Sequence, residues 1–312
     1  MEPLPKDVPA PADNKPSAAK IELGKKLYFD PRLSLNGTVS CNSCHNVMAG
    51  GEDNRRFSAG VNAQLGGRSA PTVWNAGYMS VQFWDGRAKS LEEQAKGPIT
   101  NPIEMAMPDK DMVLKVIKSI PGYVEAFQKA FPKDEPAVTY DNFGKAIGAF
   151  ERKLLTPGRW DTFLKGQKES LTAAEKKGFS EFVSVGCVNC HNGVGVGGHM
   201  YQKLGLVKPW PDLKDNGRSD ITKNTMEKGF FKVPALRNIT ETGPYLHDGS
   251  VTELPTMVKL MAEHQLGKTI SDEQCGSIVT FLKALKGDLP LDYIREPALP
   301  ASTDATPKPD PS

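Results

Sequence analysis

"VSCNSCHNVMAGGEDN" (Val39–Asn54) and "VGCVNCHNGVGVGG" (Val185–Gly198) each place two cysteines and a histidine within five consecutive positions. The whole chain of 312 residues has only five cysteines and five histidines. Cys-x-x-Cys-His is the attachment pattern of a c-type haem. Thiols three positions apart reach the two vinyl groups as thioethers, and the adjacent histidine presents a ring nitrogen to the iron. A structural zinc site would need four ligands, and neither Cys-x-x-Cys has a second pair nearby. A redox dithiol does not call for the trailing histidine. The sequence therefore predicts one haem on Cys41, Cys44 and His45, and another on Cys187, Cys190 and His191. The leftover Cys275 argues against a disulfide framework.

Composition agrees with a globular chain: 38% hydrophobic, 24% charged, net charge +2. Basic and acidic residues are interspersed, so no nucleic-acid partner is expected. No stretch approaches the ~20 apolar residues of a membrane span. "MEPLPKDVPAPADNKPSAAK" lacks an apolar signal core and reads as a polar, proline-rich arm. "EPALPASTDATPKPDPS" has the same look at the other end.

A second repeat follows each haem motif. "PTVWN" from Pro71 precedes "WDGRAKSLEE", and "PALRN" from Pro234 precedes "HDGSVTELPT". Gly86 and Gly249 fall at equal distances from their prolines, and Leu91 and Leu254 at equal distances beyond the glycines. Equal spacing predicts an internal duplication of a haem lobe. Elsewhere the pattern is helical. "TYDNFGKAIGAFERKLL" puts Phe143, Ile147, Phe150 and Leu154 on one face. Capping boxes are expected at Ser90, Thr172 and Ser271. Cys275, Ile278, Leu282 and Leu285 form the stripe of the expected last helix, which makes Cys275 a core thiol. The expected fold is mainly α, two cytochrome-c-like haem lobes meeting across an interface. Its divisions are a flexible N-terminal arm (1–20), a first haem domain (21–160), a second haem domain (161–287) and a C-terminal tail (288–312).

The sixth iron position decides what a haem does. In the second lobe Met257, Met261 and His264 all follow the Asp-Gly turn, and spacing does not choose among them. In the first lobe His45 is the only histidine before residue 187, so that haem cannot be bis-histidine within the chain.

The order "CNSCHN", "FWDGRAKSLEEQAKGPI", "GCVNCHNG", "LRN", "TGPYLHDG" and "MAEHQLG" resembles the bacterial dihaem cytochrome c peroxidases, from about Ile21 to Gly287. The resemblance implies reduction of hydrogen peroxide to water in the periplasm, with electrons from a small c-type cytochrome or a cupredoxin. It implies a homodimer with calcium between the haem domains. His45 then belongs to the low-potential, peroxidatic haem and His191 to the high-potential, electron-entry haem with Met261 as distal ligand. Trp84 matches the tryptophan between the haems, Glu104 and Gln94 the distal pair, and Thr242 and Pro244 the carbonyl donors to calcium. His247 matches a histidine near the interface, while His199 and His264 match no role. Two departures stand out. Val61 in "FSAGVNAQLGG" replaces the distal loop histidine of many relatives, and Ser69 replaces the calcium-site asparagine.

On this reading Glu104 moves a proton between the two peroxide oxygens, Gln94 orients the peroxide, and Trp84 lies in the electron path. With no loop histidine, the first haem is expected to stay open in the oxidised protein. Met48, Met79, Met105 and Met107 are the methionines near enough in sequence to be weighed as substitutes. Two rivals are a dihaem electron carrier, which would need two six-coordinate irons, and a dihaem enzyme that oxidises a protein side chain, whose second haem uses a tyrosine ligand.

Overall fold

The computed structural model describes residues 1–310; positions 311 and 312 of the expected tail lie outside them. The chain is mainly helical. The first lobe carries α1 (Ala18–Phe29), α2 (Cys41–Cys44), α3 (Leu91–Thr100), α4 (Lys110–Lys118), α5 (Pro121–Ala130) and α6 (Tyr140–Glu151). The second carries α7 (Arg159–Leu164), α8 (Ala173–Val185), α9 (Ser219–Thr222), α10 (Leu254–Leu266) and α11 (Asp272–Lys283), and a single turn, α12 (Leu291–Ile294), follows. Three-residue strands β1 (Tyr201–Lys203) and β2 (Phe230–Lys232) pair antiparallel, with Tyr201 opposite Lys232.

Local sequence sets the helix starts. Ser17, Asp109 and Thr139 cap α1, α4 and α6 by accepting backbone N–H bonds, satisfying donors that the first turn leaves unpaired. Full capping boxes open α8 at Thr172 and α11 at Ser271. At α3 the box is incomplete. Ser90 accepts from Glu93 N, but the Glu93 carboxylate takes the N–H of Lys89 instead of that of Ser90.

Two apolar clusters form. One gathers Leu23, Leu27, Phe143, Ile147, Phe150 and Leu154, and the other Trp160, Phe182, Cys275, Ile278, Phe281, Leu282 and Leu285. They part between Leu154 and Trp160. Each contains a close helix crossing. A Cβ on Gly24 of α1 would sit 1.9 Å from the Ala146 carbonyl oxygen of α6. A Cβ on Gly178 of α8 would sit 2.0 Å from the Ser277 oxygen of α11. Only glycine allows backbones this near.

The repeated segments share backbone geometry. Asn75 and Asn238 are both left-handed, as are Phe83 and Leu246, and Gly86 and Gly249. A bridge between Gln82 and Ala88 has its counterpart between Tyr245 and Val251. Asn75 and Asn238 also meet at the seam, each donating through Nδ2 to Thr156 Oγ1 at 2.8 Å.

Within the described residues the N-terminal segment and the segment after α11 are both anchored, unlike the flexible arm and loose tail that composition suggests. Leu4 is buried, and its N–H bonds Asp161. Asn14 Nδ2 donates to Glu92 and to the Lys145 carbonyl. At the other end α11 is not the last helix. The α12 turn inserts Ile294 into the first core, and Arg32 holds the Pro300 carbonyl at 2.9 Å. A few apolar anchors and backbone hydrogen bonds order these proline-rich segments, which composition alone does not reveal.

Candidate haem and peroxide site

The two attachment motifs have the same local form. Cys41–Cys44 is a single helical turn and Cys187–Asn189 a 3₁₀ turn. His45 N bonds the Cys41 carbonyl at 2.9 Å, and His191 N bonds that of Cys187 at 3.0 Å. The four thiols are free and only partly buried. Burial still pushes Cys44 and Cys187 up to about 11. Burial lowers both histidines, His191 to about 4, which keeps the imidazoles neutral as metal ligation requires. His45 Nδ1 donates to the Pro71 carbonyl at 3.0 Å, leaving Nε2 as the nitrogen for iron. Tyr28 braces the same residue by donating to the His45 carbonyl at 2.6 Å. His191 Nδ1 is buried without a hydrogen bond of normal geometry, although the Val196 and Pro234 carbonyls oppose the effect of burial. Free thiols beside imidazoles that burial keeps neutral fit one c-type haem per lobe.

The three second-lobe ligand candidates share one face of α10. His264 is buried, and its Nδ1 faces the Lys208 and Pro209 carbonyls at 3.1 and 3.0 Å. Leu254, Val258, Ala262 and Leu266 supply the core side of the helix. Met257 and Met261 stand outside that cluster, and Met261 keeps part of its surface open.

In the first lobe, Phe83, Arg87, Pro98, Asn101 and Glu104 line a pocket of about 250 Å³. Asn101 Nδ2 donates to Glu104 Oε1 at 2.8 Å. Burial raises the Glu104 carboxyl above the usual range, with Arg87 and Asn101 pulling it back. The Arg87 guanidinium lies over Phe83, 3.5 Å from the ring centroid. Gln94 lies on α3, one turn before Pro98, and does not line this pocket. Arg87 and Asn101 were not singled out from sequence; only their nearness to the Asp-Gly turn and to Glu104 could have flagged them.

Val61 is 1% exposed and belongs to the first core. Its N–H bonds the Glu104 carbonyl at 2.8 Å, so this loop lies against the backbone of the pocket acid. Met105 and Met107 are buried in the same core. Met79 reaches the second lobe, where a Cβ on Gly198 would lie 1.9 Å from its sulfur. Met48 is 57% exposed.

At the seam Trp84 Nε1 donates to the Ser69 carbonyl at 2.9 Å, and the Trp84 carbonyl accepts from Lys232 N at 2.8 Å. His247 packs edge-on to Trp84 and stacks on Phe231 with centroids 4.2 Å apart. Arg68 ties Asp85 of the first lobe to Asp215 of the second at 2.6 and 2.7 Å. Nearby, Asn54 Nδ2 donates to the Glu241 and Gly243 carbonyls. Among the described residues no hydrogen bond ends on the Thr242 or Pro244 carbonyl. Ser69 Oγ is directed to the Arg55 carbonyl at 3.5 Å. No group of three or more His, Cys, Asp or Glu side chains suited to a metal ion occurs among the described residues. His199 is exposed.

Comparison with known proteins places the chain in a family. The sequence profile of the family described as di-haem cytochrome c peroxidase matches residues 18–169. A cytochrome c551 peroxidase of Pseudomonas aeruginosa is 46% identical, covering 99% of this chain and 90% of its own. One from Nitrosomonas europaea is 47% identical over 97% of this chain and 90% of its own. Among solved structures, a MauG-like protein associated with microbial copper homeostasis superposes with a TM-score of 0.80 at 28% identity, covering 94% of this chain and 97% of its own. The chain belongs to the di-haem cytochrome c peroxidase family and is a dihaem c-type peroxidase, an oxidoreductase.

Proposed function

We propose that the chain reduces hydrogen peroxide to water in its first lobe, with electrons entering through the second from a small c-type cytochrome or a cupredoxin. The observation that carries this division is the Glu104 pocket, which is in the first lobe. When bound, haem iron supplies an oxygen-binding centre and the electron transfer. His45 holds the first haem and His191 with Met261 the second, each joined by its Cys-x-x-Cys pair. Asn101 fixes one Glu104 oxygen and leaves the other to take a proton from one peroxide oxygen and return it to the other. A carboxyl raised by burial suits that two-way work, since it holds a proton more readily than an ordinary carboxylate and can still release it. Gln94, on α3 and outside the residues that line the pocket, is assigned to orienting the peroxide, and Trp84 to the electron path across the seam.

The second lobe is read as a copy of the first, supported by the paired left-handed residues and bridges. The boundaries 21–160 and 161–287 stand as the reading of the two haem domains. Calcium is assigned to the Thr242 and Pro244 carbonyls. With Ser69 in place of an amide side chain, most of its six to eight oxygen ligands would be waters. A periplasmic location and a homodimer complete the reading. No helix among the described residues is long and apolar enough to cross a membrane.

Peroxide turnover by the haem-loaded protein with a reduced c-type cytochrome tests the function. Two donor molecules oxidised per peroxide is the expected stoichiometry. Haem-loaded protein that leaves both peroxide and donor unchanged would overturn it.

A further inference from the structure

Arg87 is the one cation among the described residues that line the Glu104 pocket. Two carboxylates line it as well, those of Glu93 and Glu104. Glu93 is exposed, and its carboxylate accepts from Lys89 N at 2.7 Å. Glu104 is the more enclosed of the two. Burial favours its protonated form, and the Arg87 charge is the strongest opposing influence, ahead of the Asn101 bond.

Arg87 is also held in place at the edge of the pocket. Its Nη1 donates to the two Asp85 oxygens at 3.1 and 2.9 Å, and its backbone N–H donates to Asp85 Oδ1 at 3.1 Å. The guanidinium lies over Phe83, another residue of the pocket wall, a contact that favours a cation. Asp85 is buried and also takes Arg68, which reaches Asp215 of the second lobe. Lys232 is buried within the influence of Asp85, but its ammonium donates to the Val81 carbonyl at 3.0 Å. Of these cations only Arg87 lines the pocket.

Proton transfer moves one negative charge from Glu104 to its substrate. An O–H bond of one peroxide oxygen breaks, an O–H bond forms on the carboxylate, and the charge passes to the hydroperoxide. Glu104 then gives that proton to the other oxygen. A negative charge partly removed from water is costly without a partner, and a cation in the same pocket offsets it at either place. Arginine suits the task because it keeps its charge throughout the pH range in which an enzyme works.

We propose that Arg87 is a positioning residue for the peroxide reaction, supplying the positive charge that holds Glu104 ready as a base. This rests on the reading of Glu104 as the proton carrier. Asn101 fixes one carboxylate oxygen, and Arg87 balances the charge.

The test measures kcat/KM for peroxide across pH, with haem-loaded protein and saturating reduced cytochrome. Arg87→Gln should move the acid limb to higher pH, because Glu104 without the cation holds its proton more tightly. Below the limb the rate should fall about tenfold, the low end of what a nearby opposite charge contributes. Above the limb it should return toward wild type. Arg87→Met should do the same and serves if the glutamine variant fails to fold. Arg87→Lys keeps a positive charge and should shift the limb less than either. In a Glu104→Gln background, Arg87→Gln should add no pH-dependent loss, since no carboxylate is left to balance. A limb unmoved in the neutral variants, a loss equal at every pH, a lysine variant shifted as far as the neutral ones, or a shift that persists in Glu104→Gln protein would each overturn the proposal. Glu104→Gln alone is read separately. If it leaves the wild-type acid limb in place, the proton-carrier reading fails, whatever Arg87 does.

Discussion

Glu104→Gln isolates proton transfer from pocket geometry. The substitution keeps the side chain's size, and a glutamine oxygen can still accept the 2.8 Å bond from Asn101 Nδ2. The 250 Å³ pocket and the Val61 N–H bond to the residue-104 carbonyl should persist. What disappears is the second carboxylate oxygen as a proton carrier. Positioned acid-base groups contribute about 10²–10⁴-fold, equivalent to roughly 3–5 kcal/mol of barrier. Peroxide turnover at saturating donor should fall by about that factor, with both haem spectra retained. The pH profile supplies a second readout. A base must be ionised to take the first proton, so wild-type turnover should fall as pH drops through the Glu104 pKa. Burial places that limb above the ordinary carboxylate range, and Glu104→Gln should lose it. A drop of less than a few-fold, or the same acid limb in the variant, would refute the assignment.

Other outcomes follow from the same contacts. Glu92 and Arg152 form a buried bidentate pair at 2.6 and 2.9 Å. Glu92→Ala should therefore cost about 3–5 kcal/mol by denaturant unfolding, because it strands a buried guanidinium; a loss below about 1 kcal/mol would contradict that burial. Burial tends to raise Glu92, but its bonds to Arg152 and Asn14 prevail and hold its pKa below the ordinary value. The stability it contributes is present above the unfolded carboxylate pKa and should be lost as pH falls through the lowered one. Met261→His should lower the second haem's potential, measured by redox titration, whereas an unchanged potential and spectrum would point to Met257 or His264. Val61→His sets an imidazole in an apolar core and should lower the melting temperature unless the loop turns over and ligates iron. A low-spin resting spectrum would report the second outcome, and an unchanged spectrum with unchanged melting temperature would contradict both.

The attachment motifs, the helix starts at Thr172 and Ser271 and the core place of Cys275 were legible because each rests on short-range spacing. The seam was not. Arg68 meets Asp215 and Lys232 meets Val81 only after the chain has folded, and nothing in "FFKVPALRN" marks Lys232 as buried. Periodicity could not separate Met257, Met261 and His264, because all three fall on one helical face. The anchored termini escaped for a similar reason. Leu4 and Ile294 are single apolar residues in proline-rich segments, and their burial depends on surfaces supplied by distant helices.

The division of labour between the lobes is tested most directly by single turnover. The protein is loaded with both haems, reduced by one electron at the second haem, and mixed with one equivalent of peroxide. The account predicts that the second haem's reduced absorption band disappears in step with peroxide loss. It also predicts that oxidised protein reacts with peroxide without prior reduction, since the buried Val61 offers no loop ligand to close the first site. A second-haem band that persists while peroxide is consumed, or oxidised protein inert to peroxide and wholly low-spin by electron paramagnetic resonance, would contradict it.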